Sequence, residues 1–161
     1  MIGLNYVGGL WINKDSIDIT DPSYNKDVTC RMLHHCIGGR YGAFTLIDGE
    51  TGRVATLSIY RDNVAVSLDN MKCIGQIGVD SARAGFFVDK PNLSQEQKDL
   101  MWSECHSSNA CLINQGGLLG VFSMSGWGDG YYNVFANDGH TAFTIVFLEE
   151  YLPDEDLPEE E

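Results

Sequence analysis

Ser123-Met-Ser-Gly-Trp-Gly-Asp-Gly-Tyr-Tyr-Asn-Val-Phe135 runs without interruption into Ala136-Asn-Asp-Gly-His-Thr-Ala-Phe-Thr-Ile-Val-Phe147. The pattern reads as strand, tight glycine turn, strand, hairpin and strand. Gly126, Gly128 and Gly130 alternate with Trp127 and Asp129, so the backbone there can take positive φ, or approach another group where a β-carbon would clash. Asp129 is thereby expected on a sharply bent loop. Asn137-Asp-Gly-His140 carries Asp-Gly at its centre, a specific hairpin signal, and puts His140 near a strand start.

The same grammar extends towards the N-terminus. Asn5 to Ile12 reads as a strand with a glycine bulge, and Ser16-Ile-Asp-Ile-Thr20 alternates as a half-buried strand does before Asp21-Pro22 breaks it. Strand-like patterns follow at Lys26 to Leu33, Tyr41 to Ile47, Arg53 to Tyr60, Val64 to Leu68 and Cys73 to Val79. They are separated by turn residues such as Asp48-Gly-Glu-Thr-Gly52 and Asp62-Asn63. Asp80-Ser-Ala-Arg-Ala-Gly-Phe-Phe87 reads as a loop bearing two adjacent aromatics. Strands at this spacing predict a mainly β, single-domain antiparallel sandwich or strongly bent sheet over residues 1–148.

One helix interrupts the pattern. Ser94-Gln-Glu-Gln97 fits a capping box, with Ser94 accepting from the Gln97 amide while the Gln97 side chain reaches back, and the helix is predicted over about 94–106.

At 161 residues the chain is long enough to bury a core without metal or disulfide support. Its five cysteines are an odd number, and no basic segment followed by an apolar run opens the sequence. Reduced thiols and a cytoplasmic location are the expectation. No apolar run approaches the length that crosses a bilayer, so no membrane partner is expected. The net charge of −13 is uneven: residues 149–161 hold eight of the 23 acids and no base, which leaves 15 acids and 10 bases in the rest. The body is therefore mildly acidic and the end of the chain reads as a self-repelling disordered tail. Without clustered Lys or Arg, direct nucleic-acid binding is disfavoured.

Asp21-Pro22-Ser23-Tyr24, Gly78-Val-Asp-Ser-Ala-Arg-Ala-Gly-Phe-Phe87 and Ser125-Gly-Trp-Gly-Asp-Gly-Tyr131 together resemble a family of bacterial domains of unknown function. In that family a strand leads to Val-Asp-Ser-Gly or Val-Asp-Ala-Gly before an aromatic. A helix follows, and a Ser-x-Gly-x-Gly-Asp-Gly-x-Tyr turn precedes the last two strands. The order and spacing agree over residues 16–148. The chain departs at Ala82, where the family often has Gly, and at Ser23, where Cys is frequent. The resemblance implies a β-rich fold with a small helical element and brings no activity with it. Some small domains of this kind look like immunity or anti-defence proteins, which inhibit a partner by binding it.

Asp80 and Asp129 each end a strand at a glycine-bearing loop, so they are the acids expected to meet. Two carboxylates in contact can hold a divalent cation or divide acid and base roles, as a metal-dependent hydrolase requires. The competing reading, and the favoured one, is that each caps its own turn through backbone amides. Cys30-Arg-Met-Leu-His-His-Cys36 gathers soft ligands, with Cys105, His106 and Cys111 as further candidates. On an extended strand, however, same-face ligands stand about 7 Å apart, too wide for tetrahedral zinc without a bend. Buried free thiols are the preferred reading, and no metal or cofactor is assigned. No cysteine or serine sits in a recognised nucleophile motif, and the glycine loop lacks the helix N-terminus that a phosphate cradle needs.

What remains is a turn-rich β scaffold that presents loops. Asp80, Ser81, Phe86, Trp127, Asp129 and Tyr131 are the expected ligand- or partner-binding residues, with Trp127, Tyr131 and Phe86 as stacking walls. The expected function is non-enzymatic binding of a protein partner, basic in character, in the manner of an inhibitor. A small-ligand-sequestering protein and the Asp80/Asp129 metal-dependent hydrolase are the alternatives.

Overall fold

The computed structural model describes residues 3–26, 28–64, 67–105, 109–115 and 117–153. Eleven strands form two antiparallel sheets. The first is built from β1 (Gly3–Ile12), β4 (Gly39–Ile47), β5 (Val54–Arg61), β11 (Ala142–Val146), β10 (Gly130–Ala136) and β6 (Lys72–Val79), in that spatial order. The second runs β3 (Met32–His35), β2 (Ser16–Thr20), β7 (Arg83–Val88), β9 (Leu118–Met124) and β8 (Ala110–Gln115). The predicted mainly β, sandwich-like architecture is what the chain adopts.

Alternation sends one face of each sheet inward. Leu57 and Ile59 of β5, Ile145 and Phe143 of β11, and Val134 of β10 meet Ile17, Ile19, Phe86 and Val121 from the opposite sheet in one buried core. The outer faces are covered too. Helix α1 (Gln95–Cys105) lays Met101 and Trp102 over Phe87, Phe122, Ile113 and Leu118. Its capping box forms as expected: the Gln97 amide donates to Ser94 Oγ at 3.2 Å and the Ser94 amide to Gln97 Oε1 at 2.9 Å. On the other side, 3-10 turns at Leu68–Asn70 and Glu149–Tyr151 cover Phe135, Met71 and Val146 of the first sheet.

Burial on both faces accounts for where the sequence misleads. The segment from Asp80 to Phe87, expected as a loop, is a loop only as far as Ala82. From Arg83 it is a central strand with Phe86 and Phe87 fully buried on opposite faces. Only the end of β9, at Ser123 and Met124, reads as a strand in the sequence; β8 and the rest of β9 do not, because their apolar residues serve the core and the helix in turn, which erases period-two alternation. Of the expected strand at Lys26 to Leu33 only Met32 and Leu33 fall in β3, which pairs with β2, and the described residues between Asp21 and Arg31 make turns and irregular backbone. The expected strand at Val64 to Leu68 gives way to a 3-10 turn that begins at Leu68, with 65 and 66 outside the described residues. Glu149–Tyr151, expected to open a disordered tail, form the covering turn. The expected tail residues 154–161 lie outside the described residues.

Cys111 is disulfide-bonded, which corrects the expectation of reduced thiols: an odd count excludes complete pairing but does not exclude a bridge. Cys30, Cys36 and Cys73 are free.

Lys90 is 4% exposed and its Nζ donates to the carbonyls of Tyr24 at 2.7 Å and Pro91 at 3.1 Å. Its own amide donates to Asp18, a buried carboxylate that also pairs with Arg31 at 3.0 Å. Burial drags the Lys90 ammonium down to about 8, against a smaller opposing pull from Asp18. Between that value and the ordinary 10.5 the unfolded chain binds more protons than the folded one, so stability rises with pH across that window, and the cost is fully present below it. In urea denaturation from pH 8 to 9.5, wild type is expected to gain on the order of 1–2 kcal/mol relative to Lys90→Met. The half-buried phenol of Tyr24 and the buried phenol of Tyr41, raised above their ordinary range chiefly by desolvation, act in the opposite sense above about pH 9.5.

Candidate functional site

The register of β6 against β10, Val79 opposite Gly130, sets the β6–β7 turn beside the glycine loop, and Asp21, the residue after β2, bonds to that turn. Asp21 is 0% exposed and its carboxylate collects five donors. Oδ1 accepts from the Ser23 amide at 2.8 Å, Ser23 Oγ at 2.7 Å and Ser81 Oγ at 2.7 Å. Oδ2 accepts from the amides of Asp80 at 2.8 Å and Ser81 at 2.7 Å. The sequence reading took Asp21-Pro22 only as a strand breaker, although Asp two residues before Ser is a familiar Asx-turn signal.

Asp80 and Asp129 lie on adjoining loops, and Asp129 serves as a brace. Its Oδ1 accepts from the Ala82 amide at 3.0 Å, and the Ser125 amide returns a bond to the Ala82 carbonyl at 3.1 Å. Ala82 has φ of 59°, a left-handed conformation that costs a residue with a β-carbon. Ala82→Gly relieves that cost and is expected to raise stability by about 0.5–1 kcal/mol, read as a shift in urea midpoint; an unchanged or lower midpoint contradicts the account.

The glycine loop itself is pinned from below. Gly126 and Gly128 have φ of 57° and 114°, and the turn closes through the Gly128 amide on the Ser125 carbonyl at 2.9 Å and Ser125 Oγ on the Gly128 carbonyl at 2.7 Å. The Tyr132 hydroxyl, under the turn, donates to the Ser125 carbonyl at 3.0 Å, and its ring packs edge-on against Phe147. Arg53 Nη1 donates to the Gly126 carbonyl at 3.0 Å while its guanidinium stacks over Trp127, 4.0 Å from the ring centroid.

On this fixed base Trp127 is 65% exposed and Tyr131 72% exposed. They border a cleft of about 450 Å³ on the outer face of the first sheet. Gln76 and Asn133, which bond to each other at 2.8 Å, lie along the strands, while Val146 and Phe147 add an apolar patch. Glu149, Glu150 and Leu152 complete the lining, on a segment anchored by the Tyr151 hydroxyl on Asp48 Oδ1 at 2.7 Å and by the Phe147 amide on the Ala55 carbonyl at 2.8 Å. Hydrogen bonds from Thr51 and Tyr151 hold the Asp48 carboxyl below its ordinary range.

The structure therefore divides the six expected site residues. Trp127 and Tyr131 border the cleft; Asp129 and Ser81 tie loops together; Asp80 is exposed, its amide held by Asp21. Phe86 is a correction: it packs in the core at 6.4 Å from Phe143 because it belongs to a strand covered on both faces. Gln76, Asn133, Glu149 and Glu150 were missed, since nothing local marks them and only the sheet pairing and the closing turn bring them together.

The soft-ligand run behaves as side-chain packing among the described residues. Cys36 is buried, His34 and His35 lie 5.4 and 5.2 Å from the His140 ring, and no group of three or more His, Cys, Asp or Glu is placed to hold a metal ion. No family model, curated protein or solved structure matches the chain.

Proposed function

We propose that this chain is a non-catalytic binding protein that engages a protein partner through the Trp127–Tyr131 cleft, in the manner of an inhibitor. One observation carries the reading: two large aromatic side chains stand mostly in solvent, Trp127 on the glycine loop and Tyr131 at the start of β10, and six hydrogen bonds and an aromatic contact hold that loop in place. Exposed aromatics on a rigid base have little ordering entropy left to lose, and they are the residues that dominate protein interfaces. Of the two acids expected to do chemistry, Asp129 accepts from the Ala82 amide and Asp80 stands exposed, its own amide donating to Asp21.

A second reading is supported by the cleft's size, which lies within the range of small-molecule sites. Capture from a bacterial lysate with an N-terminally tagged bait, analysed by native mass spectrometry, separates the two. A stoichiometric protein held by wild type and lost with Trp127→Ala plus Tyr131→Ala is the expected result. A retained small molecule, or a protein held equally by both baits, overturns it.

A further inference from the structure

We infer that the cleft recognises a cationic side chain, arginine in first place, presented by a basic segment of the partner; this rests on the binding role proposed for the cleft. Three features of different kinds converge on a cation. The charged lining is acidic: Glu149 and Glu150 are exposed and line the cleft, and among the described residues no Lys or Arg lines it. The aromatics supply negative ring faces that attract a guanidinium or ammonium. The protein already makes this interaction internally, since the Arg53 guanidinium rests 4.0 Å over Trp127, and more than half of that residue is still open to solvent.

The chain beyond the cleft adds to the field. Leu152 belongs to the lining, and the sequence continues through Pro153 into Asp154, Glu155, Asp156, Glu159, Glu160 and Glu161 without a base. Each residue extends the chain by at most about 3.6 Å, so the first of these charges is tethered within about one Debye length of the lining. Acidic charge that adjoins the cleft in sequence strengthens the field that attracts an oppositely charged partner. The carbonyl and amide groups of Gln76 and Asn133 satisfy one another in part, so they complement the peptide backbone of an incoming segment and add no charge of their own.

Arginine fits better than lysine because its planar guanidinium stacks on an aromatic face and forks towards a carboxylate at the same time. The lining of the cleft offers both elements. Specificity is thus assigned to Tyr131 and Trp127 for stacking and to Glu149 and Glu150 for charge.

The test uses the full chain and an acetylated, amidated peptide of four Gly-Arg repeats, with its isosteric Gly-citrulline counterpart as the neutral control, by titration calorimetry at low salt. The arginine peptide is expected to bind at least about tenfold more tightly than the citrulline peptide. Tyr131→Ala and the double variant Glu149→Gln, Glu150→Gln are each expected to weaken it about fivefold or more. Neutralising the six acids after Pro153 to their amides should lower affinity mainly at low salt, while the preference over citrulline persists. Equal binding of the two peptides overturns the cationic assignment. So does arginine-peptide binding that survives in the Tyr131 and Glu149/Glu150 variants and vanishes only when the tail is neutralised, since that is attraction to a charged tail and not recognition by the cleft. Because these arms use a defined peptide, they fail separately from the binding reading. A partner lost from the Trp127/Tyr131 bait while the peptide arms show no charge preference leaves the cleft and removes only the cation.

Discussion

Asp21→Ala is expected to lower folding stability by about 3–5 kcal/mol, the largest effect of any single change in this account. The carboxylate is wholly buried and accepts from three backbone amides and two hydroxyls drawn from two separate loops. Removing it leaves those donors facing a void that must either stay unsatisfied or admit water, and each unsatisfied buried group costs about 1–3 kcal/mol. The individual costs do not add fully, because the Ser23 end can relax towards solvent, which is why the expected total stays near the upper end for one residue. Asp21→Asn is the sharper test. An amide keeps one acceptor oxygen but points an NH₂ group at donors, so it is expected to lose at least about 2 kcal/mol despite equal volume. Urea denaturation measures both, and an asparagine variant as stable as wild type contradicts the keystone role.

Trp127→Ala combined with Tyr131→Ala is expected to weaken the captured partner by about 2–4 kcal/mol, or roughly 30- to 1000-fold, while moving stability by no more than about 1 kcal/mol. Most of the surface of both side chains is in solvent, so little folding energy is lost with them. The internal cost is the Arg53 stack on Trp127, of the order of 0.5–1 kcal/mol, and Arg53 keeps its bond to the Gly126 carbonyl. The separation of the two readouts is the point. A residue that matters only for folding moves the urea midpoint first, whereas a binding residue moves affinity with the midpoint unchanged. An affinity within threefold of wild type contradicts the assignment.

The fold was legible wherever one face of a strand met solvent or a turn carried Asp or Gly. The hairpins at Asp48–Gly52 and Asn137–His140, the capping box at Ser94 and the glycine turn at 125–130 all fall where their residues said they would, because each is written in local backbone chemistry. The strands of the second sheet were harder to see. With the core on one side and α1 on the other, Ala110–Gln115 and Leu118–Met124 present apolar residues in both phases, and Phe86 and Phe87 read as loop aromatics though they serve opposite faces of one strand. The site was half legible for the same reason. Trp127 and Tyr131 announce themselves inside a glycine loop, but Gln76 and Asn133 become neighbours only through the β6–β10 register. Glu149 and Glu150 reach the cleft only because the chain turns at Leu148 and docks through Tyr151 on Asp48. Asp21 is the instructive miss: a carboxylate next to proline looks like punctuation, and its function as an anchor depends on donors about 60 residues away.

The most direct test of the binding surface is amide hydrogen exchange of the full chain, alone and saturated with its captured partner. The account predicts slowed exchange concentrated in residues 125–133 and 149–152, together with the neighbouring stretch of β6 around Gln76, and little change along α1 or β1. Protection confined to α1 or the β1 edge, with the glycine loop exchanging at its free rate, would contradict the account.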